Sequence, residues 1–309
     1  MENSSKVVAR LPKKKFLTKE RLFILCSLAP TLIMLSGWTF YPTLHSFVLS
    51  FFDTTMDSLG EFEGLRNYVA VLTNETFWVA LRNTALFSLE SIAGAVTSGL
   101  LLAVLLNTRM SGKRLFRTAF FLPYVIPHAA HSILWMWLYD PRYGLWNYLL
   151  GFVGLGPIPW VKSSAWVLHA FVIMNIWKRT GFTMVLFTAG LQTIPADLYE
   201  AATIDGASRV KRILHVDLPA IIPTISIMLI LRFGQIMNIG FDKTYLLQTD
   251  PNLVTSEVIS TYVYKIAFAD GSMDYSYATA IGLLNSVIGL IMISVMNFVS
   301  KKVTSDGLW

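Results

Sequence analysis

Long apolar runs without any charged side chain dominate the pattern of hydrophobic and polar positions. Three such runs cover 22–52, 118–139 and 275–300. Each is longer than the ~20 residues that a helix needs to cross the hydrocarbon core of a bilayer. Together with shorter apolar segments between them, they predict an all-α integral membrane protein with about six transmembrane helices, at 22–52, 83–106, 118–139, 163–191, 219–241 and 275–300.

Prolines interrupt two of these predicted helices. Pro30 and Pro42 lie in the first helix, and Pro123 and Pro127 lie in the third. Because each proline removes one intrahelical hydrogen bond, the sequence predicts kinks at these positions.

The composition agrees with a membrane location. Of the 309 residues, 54% are hydrophobic and only 14% are charged, whereas about 25% of the residues in a soluble domain are charged. The single cysteine, Cys26, excludes an intramolecular disulfide. A basic stretch precedes the first apolar run, but that run exceeds the ~7–15 apolar residues of a secretory signal, so we expect an uncleaved first helix.

The basic residues divide unequally between the two sets of connecting segments. Sixteen Lys and Arg lie in segments 1–21, 107–117, 192–218 and 301–309, and five lie in segments 53–77, 140–163 and 242–275. This positive-inside bias predicts that both termini are cytoplasmic in a multi-pass protein of the bacterial cell membrane. The net charge of +6 is sorted by loop, so it does not indicate a nucleic-acid partner.

These patterns also predict the domain organisation. We expect a basic cytoplasmic tail at 1–21, a transmembrane domain at 22–300 with its core at 79–300, and a second cytoplasmic tail at 301–309. The loops are too short for a separate soluble domain.

Motifs for catalysis are missing from the sequence. Gly112-Lys113 is followed by Arg114 and lacks the upstream glycine of a phosphate-binding loop, so the chain is not expected to bind ATP or Mg²⁺. His128 and His131 have helical spacing, but no acidic residue lies near them in the sequence. Helix packing or cavity lining is therefore favoured over a metal site. We expect no catalytic residue, no metal and no cofactor bound by this chain.

The connecting segment 192–219 has a pattern of its own. Residues 199–202 favour a helix, and Gly206 permits a tight break before a second short helix with apolar and basic sides. Periodicity alone favours an amphipathic connector on the inner leaflet.

The same segment resembles the cytoplasmic loop motif of binding-protein-dependent ABC importer permeases. Val216 replaces the commoner isoleucine of that motif. In that family the loop docks into a groove on the ATPase subunit, so the resemblance implies an ATPase-coupling site. The matching residues are Glu200, Ala201, Ala202, Asp205, Gly206, Ala207, Leu218 and Pro219.

The resemblance extends over most of the chain. Segments 62–68, 83–84, 120–124, 140–145 and 177–182 resemble carbohydrate permeases of the maltose and glycerol-phosphate type, without the large periplasmic insertion of the maltose type. Residues 241–309 resemble oligosaccharide permeases of Gram-positive bacteria. The implied fold is that of a type I ABC importer permease. The implied partners are a second homologous permease, two ATPase subunits that carry ATP and Mg²⁺, and an extracellular solute-binding protein.

Charged and polar residues inside predicted helices indicate a solute path. Lys178, Arg179 and Arg232 lie well inside helices, where a charge costs at least ~2.5 kcal/mol unless it faces a polar interior. Glu90 is their expected counter-ion, and a structural ion pair between helices is the alternative interpretation. Amides and an aromatic ring at similar depth suit sugar hydroxyls and C–H faces, although they also suit helix packing. These are Asn175, Trp177, Gln235 and Asn238.

The sequence therefore predicts a carbohydrate permease subunit of an ABC importer, with an oligosaccharide as the expected solute. One alternative is an importer of glycerol phosphate or another anion, since three buried basic residues suit such a solute. A different class of protein, an ion-coupled secondary transporter, would need acidic residues inside the membrane, and only Glu90 qualifies.

Overall fold

The computed structural model describes residues 18–54, 59–108, 111–238, 240–269 and 273–304, which are mainly helical. Residues 1–17 of the predicted N-terminal tail and 305–309 of the predicted C-terminal tail lie outside the described residues. The chain divides into two compact units, 1–49 and 50–309.

The first unit contains one long apolar helix. Helices α1 (Lys19–Leu35) and α2 (Tyr41–Leu49) are joined without a break by a π-helical turn at Ser36–Phe40. The stretch Leu22–Leu49 is long and apolar enough to cross a membrane, and none of its most apolar part is buried. The predicted first helix therefore ends three residues early, at Leu49 instead of 52.

The second unit begins with a small antiparallel hairpin that the sequence did not predict. Its strands are β1 (Phe52–Thr54) and β2 (Leu59–Phe62), with Phe52 opposite Phe62 and Thr54 opposite Leu59. The helices that follow are α3 (Arg66–Thr73), α4 (Glu75–Leu106), α5 (Lys113–Val125), α6 (His128–Leu138), α7 (Leu145–Phe152), α8 (Val167–Leu191), α9 (Ala196–Ile204), α10 (Arg209–Arg212), α11 (Leu218–Phe233), α12 (Phe241–Leu247), α13 (Leu253–Ser256), α14 (Ile259–Tyr264) and α15 (Tyr275–Thr304). Shorter helical turns occupy Ile213–Asp217, Asp250–Asn252 and Lys265–Ala269.

Two predicted transmembrane helices differ clearly from the observed ones. The third is divided into α5 and α6 around Ile126 and Pro127, because Pro127 has no N–H with which to continue the helix. The fifth was predicted at 219–241 but ends at Phe233, and it continues backwards through the π turn Ile213–Asp217 to Arg209. Pro219 therefore lies inside a longer helix, close to its π turn, instead of opening it.

The other predicted helices are present with shifted ends. Helix α4 begins at Glu75, eight residues before the predicted 83, because Asn74 caps it by accepting the Thr76 N–H at 2.8 Å. Helix α8 begins at Val167 instead of 163, and α15 extends to Thr304. Among the described residues, four helical stretches are long and apolar enough to cross a membrane: Leu22–Leu49, Glu75–Leu106, Arg209–Phe233 and Tyr275–Val303. The other two predicted spans are the divided pair α5–α6 and α8.

Small residues allow α8 to pack closely against its neighbours. A Cβ atom added at Gly99 of α4 would lie 2.7 Å from Cβ of Thr183, and one added at Gly181 of α8 would overlap the carbonyl oxygen of Phe120 in α5. The hydroxyls of Ser98 and Thr180 share a hydrogen bond of 2.6 Å between α4 and α8. Close approach through glycine and hydroxyl residues is typical of helices packed within membranes.

The segment 242–275, which the sequence placed in an outer loop, is packed against the helices. Asn83 of α4 donates hydrogen bonds to the carbonyls of Val254 at 2.8 Å and Glu257 at 2.9 Å. The Ile259 N–H donates to the Thr84 hydroxyl at 3.0 Å. These contacts give the Asn83-Thr84 pair a physical role, because they satisfy backbone groups at the end of α13 and the beginning of α14 that have no partner within their own short helix.

Candidate functional site

A cavity whose lining includes polar and charged side chains lies among α4, α8, α11 and α12. Five of the eight predicted solute-path residues line it, namely Asn175, Arg179, Arg232, Gln235 and Asn238. Helix α4 contributes Phe87, Ser88 and Ser91 to its wall, and α12 contributes Lys243. The folded chain thus brings together predicted path residues that lie up to 63 positions apart in the sequence.

Asn175 organises the charged end of this cavity. Its Oδ1 accepts a hydrogen bond from Lys243 Nζ at 3.0 Å and another from Arg179 Nε at 3.2 Å. The Lys243 ammonium also lies over the Phe87 ring, 4.9 Å from its centroid. One amide oxygen therefore fixes two cations from different helices.

Arg232 approaches the same cavity from α11. Its Cζ lies 5.8 Å from the centroid of the Phe182 ring, within the range of a cation–π contact. The Phe182 ring stacks on Tyr124 with the two centroids 4.7 Å apart. The aromatic pair joins α5 to α8 and supports the guanidinium at the cavity wall.

The remaining three predicted path residues lie outside this cavity. Lys178 is 5% exposed and donates a hydrogen bond to the carbonyl of Ile126. It satisfies a backbone acceptor that the break between α5 and α6 leaves free. Trp177 stacks on His131, with ring centroids 5.7 Å apart and an interplanar angle of 11°.

Glu90 does not act as the predicted counter-ion. Its Oε2 lies 3.6 Å from Nδ1 of His169, and no ion pair joins it to Lys178, Arg179 or Arg232 within the part of the chain that the structure describes. The prediction failed because helical depth alone does not tell on which side of α4 a residue projects.

Sequence reasoning missed Lys243. It was counted with the outer loop 242–275 because the predicted fifth helix ended at 241, but Lys243 is only 3% exposed. Lys243, Thr244 and Leu247 form the buried side of α12. Thr244 and Leu247 follow Lys243 by one and four residues, and this spacing could have indicated a helix with one buried side.

The predicted coupling segment contains one separate short helix, α9, whereas the second short helix that the sequence indicated, α10, continues without a break into α11. Helix α9 carries Glu200, Ala201 and Ala202, and Ser208 caps α10 by accepting the Lys211 N–H at 3.4 Å. Ile204 is 85% exposed at the end of α9. Asp205 and Gly206 are also exposed, and Ala207 is half-buried. The motif residues of α9 therefore form a projecting surface, whereas Leu218 and Pro219 lie at the beginning of α11.

Helix α9 is tied to the beginning of α11 by one hydrogen bond. The Tyr199 hydroxyl donates to Oδ1 of Asp217 at 2.6 Å, and Asp217 is buried. Burial, followed by this hydrogen bond, raises the pKa of Tyr199 to about 12. The hydroxyl is therefore protonated at physiological pH and keeps its role as donor.

Gly206 ends α9 in a left-handed conformation. Its φ is +68°, and the Ala207 N–H reaches back to the Ala202 carbonyl at 2.9 Å while the Gly206 N–H reaches the Thr203 carbonyl at 3.1 Å. This pair of bonds is a Schellman motif, which glycine favours because it has no Cβ. A Cβ atom added at Gly206 would meet nothing within 4 Å among the residues that the structure describes.

Two membrane-length stretches, Glu75–Leu106 and Arg209–Phe233, line a cavity that also holds charged side chains. Together with the short exposed helix α9 between α8 and α11, these are features expected of a membrane permease. Residues 95–305 match the model of the family described as "Binding-protein-dependent transport system inner membrane component". The chain belongs to this family and is therefore a multi-pass protein of the cell membrane. The predicted type I importer permease fold is confirmed.

Relatives and solved structures are similar over most of the chain. The trehalose/maltose transport system permease protein MalF of Thermococcus litoralis is 34% identical over 255 residues, which are 82% of each chain. The polygalacturonan/rhamnogalacturonan transport system permease protein YteP of Bacillus subtilis is 30% identical over 81% of this chain and 78% of its own. A bacterial alginate ABC transporter, crystallised with alginate pentasaccharide-bound periplasmic protein, contains a chain with a TM-score of 0.84 and 28% identity, and the match covers 94% of this chain and 98% of that one.

Proposed function

We propose that this chain is the permease subunit through which an ABC importer moves a carbohydrate across the cell membrane. The observation that carries the proposal is the cavity, in which amides, hydroxyls and cations from four helices converge inside a permease of this family. Sugar hydroxyls need such paired donors and acceptors. The names of MalF and YteP and the alginate complex support a saccharide, since all three refer to saccharides.

The projecting helix α9 supports coupling to a separate ATPase. Glu200, Ala201, Asp205 and Gly206 are exposed, and Tyr199 connects this surface to the base of α11, whose other end carries Arg232 at the cavity. We propose that ATP binding closes two partner ATPase subunits, which move α9 and thereby α11. A second homologous permease and a solute-binding protein complete the assembly, and ATP and Mg²⁺ bind to the ATPase subunits instead of this chain.

Two alternative functions remain distinct from this proposal. An importer of glycerol phosphate would use the same cations with a smaller solute. An ion-coupled secondary transporter is less well supported, because the acidic residue that it would need, Glu90, lies beside His169 and away from the cavity lining.

The experiment is solute-stimulated ATP hydrolysis by the purified importer in proteoliposomes, with the saccharide-loaded binding protein of the same system. We expect stimulation in the wild type and its loss in Glu200→Lys, because the substitution places a positive charge on the projecting surface of α9. Glu61→Lys, an exposed position in β2, is the matched control and should behave as the wild type. Unchanged stimulation and unchanged ATPase co-purification in Glu200→Lys would overturn the proposed coupling role.

A further inference from the structure

The cavity contains an excess of positive charge. Arg179, Arg232 and Lys243 all line it, and no Asp or Glu is among its lining residues. The ion pairs in the described part of the chain are Arg66–Glu63, His169–Glu90 and Lys265–Glu257, and none of them involves a cavity residue. The three cations are therefore not neutralised by a carboxylate of the described chain.

The contacts that hold these cations are made by neutral groups. Asn175 Oδ1 accepts from Lys243 and Arg179 at 3.0 and 3.2 Å. The Phe87 ring lies under Lys243, and the Phe182 ring lies under Arg232. Amide and aromatic partners orient a cation without cancelling its charge, so the attraction for an anion persists.

Neutral polar groups of the cavity are free to bind hydroxyls. The Ser91 hydroxyl lines the cavity, is buried and has no hydrogen-bond partner in the described structure. An unpaired buried hydroxyl is costly unless something else satisfies it. The Gln235 and Asn238 side chains line the same wall and are exposed. A solute that carries both a carboxylate and several hydroxyl groups would satisfy the two kinds of group together.

We propose that the solute of this cavity is an acidic saccharide, and that Arg179, Arg232 and Lys243 bind its carboxylate while Ser91, Gln235 and Asn238 bind its hydroxyls. The inference rests on the proposed function, since it names the class of carbohydrate that the same cavity accepts. A neutral sugar would leave three cations without a counter-charge in the occupied cavity. The cost of such unpaired charges selects against a neutral solute.

The test compares three probes in titrations of the purified importer complex in lipid nanodiscs, without binding protein. The probes are trigalacturonate, the neutral galactotriose and glycerol 3-phosphate. We expect trigalacturonate to bind at least about tenfold more tightly than galactotriose, since a hydrogen bond to a charged group contributes about ten- to hundredfold. Added salt should weaken the binding of trigalacturonate and leave that of galactotriose unchanged.

Variants of the cavity cations assign the effect to this site. Arg232→Gln and Lys243→Gln should each weaken trigalacturonate binding about ten- to hundredfold, and Arg232→Lys should retain part of the affinity. Arg82→Gln is the matched control, because Arg82 is exposed on the same α4 helix that lines the cavity but is not among the lining residues. Its affinity should stay within about twofold of the wild type. Size-exclusion profiles of each complex separate lost binding from lost assembly.

Each contrary result has a separate meaning. Equal or tighter binding of galactotriose would overturn the acidic solute and leave the carbohydrate importer intact. Binding of glycerol 3-phosphate alone would overturn the carbohydrate function and retain the anion site. If both Gln variants lose assembly to the same extent as they lose binding, the assignment of these cations to a solute site would be overturned. The same conclusion would follow if none of the three probes bound to the wild type.

Discussion

The left-handed conformation of Gly206 gives a prediction that separates backbone preference from side-chain bulk. At φ +68° a residue with a Cβ costs ~1–2 kcal/mol relative to glycine, whereas asparagine tolerates this conformation better. No atom of the described residues outside the local backbone lies within 4 Å of an added Cβ, so the substitution creates no clash with the part of the permease that the structure describes. Gly206→Ala is therefore expected to lower the fraction of permease molecules in which α9 ends in the observed left-handed conformation.

The expected change in affinity for the ATPase follows from this change in population. A cost of ~1–2 kcal/mol reduces the observed conformation about 5–30-fold relative to other loop conformations. If the ATPase binds this conformation alone, its apparent Kd for the permease rises by at most that factor. Gly206→Asn should raise the Kd less than Gly206→Ala, although its side chain is larger. Gly206→Leu should be the weakest binder, because it adds bulk to the conformational cost.

The assay is titration of the ATPase subunit onto the permease pair in nanodiscs, with solute-driven ATP hydrolysis measured on the same variants. Tighter binding of Gly206→Ala than of Gly206→Asn would show that side-chain bulk at the interface decides the affinity and would refute the conformational argument. Wild-type values for Gly206→Ala, Asn and Leu together would mean that α9 and its turn are not a docking surface.

Three further predictions concern stability and topology. Tyr199→Phe should destabilise the permease by about 1.5–3 kcal/mol in detergent unfolding, because it removes a donor to a buried carboxylate. This loss should be constant from about pH 6 to 9, because the pKa of Tyr199 is about 12 in the folded permease and about 10 in the unfolded chain, so the hydroxyl stays protonated in both states over this range. Gly181→Ala should cost about 1–3 kcal/mol by overpacking α5 against α8, whereas Gly289→Ala, with nothing within 4 Å of its Cβ, should not destabilise. Ser305→Cys in a Cys26→Ser background should react with an impermeant maleimide only after cells are permeabilised.

The controls for these predictions are equally specific. Tyr143→Phe changes an exposed tyrosine and should leave stability unchanged, so an equal loss in both variants would contradict the hydrogen-bond argument. Equal stability of the two glycine variants would contradict the close approach of α5 and α8. Ser58→Cys should be labelled on intact cells, and the reverse pattern of labelling at Ser58 and Ser305 would invert the topology.

The sequence predicted those features that depend on local patterns. Charge-free apolar runs located the helical stretch Leu22–Leu49 and α15, and the glycine at 206 located the end of α9, because both signals are encoded locally in the sequence. Proline predicted an irregularity at 127. The capping of the freed Ile126 carbonyl by Lys178, which is 52 residues away, depends on how α5 packs against α8 and could not be read locally.

The lining of the cavity was predictable only in part. Depth in a helix identified Arg179 and Arg232, but depth does not specify direction, and so Lys178, Trp177 and Glu90 were grouped with them although they do not line this cavity. Lys243 was missed because a segment without a long apolar run was interpreted as a loop, although it folds back against α4. The direction in which a helical side chain projects and the burial of Lys243 are both decided by tertiary packing.

Transport by the complete importer in proteoliposomes distinguishes ATP-driven carbohydrate import from the other functions. The measurement is accumulation of labelled trigalacturonate and galactotriose by vesicles that contain this permease, its partner permease and the ATPase, with the binding protein of the same system. We expect accumulation of oligosaccharide that requires both ATP and the binding protein, and no accumulation when a proton or sodium gradient is applied without ATP. Gradient-driven accumulation without ATP, or no accumulation of either oligosaccharide under any condition, would contradict ATP-driven carbohydrate import.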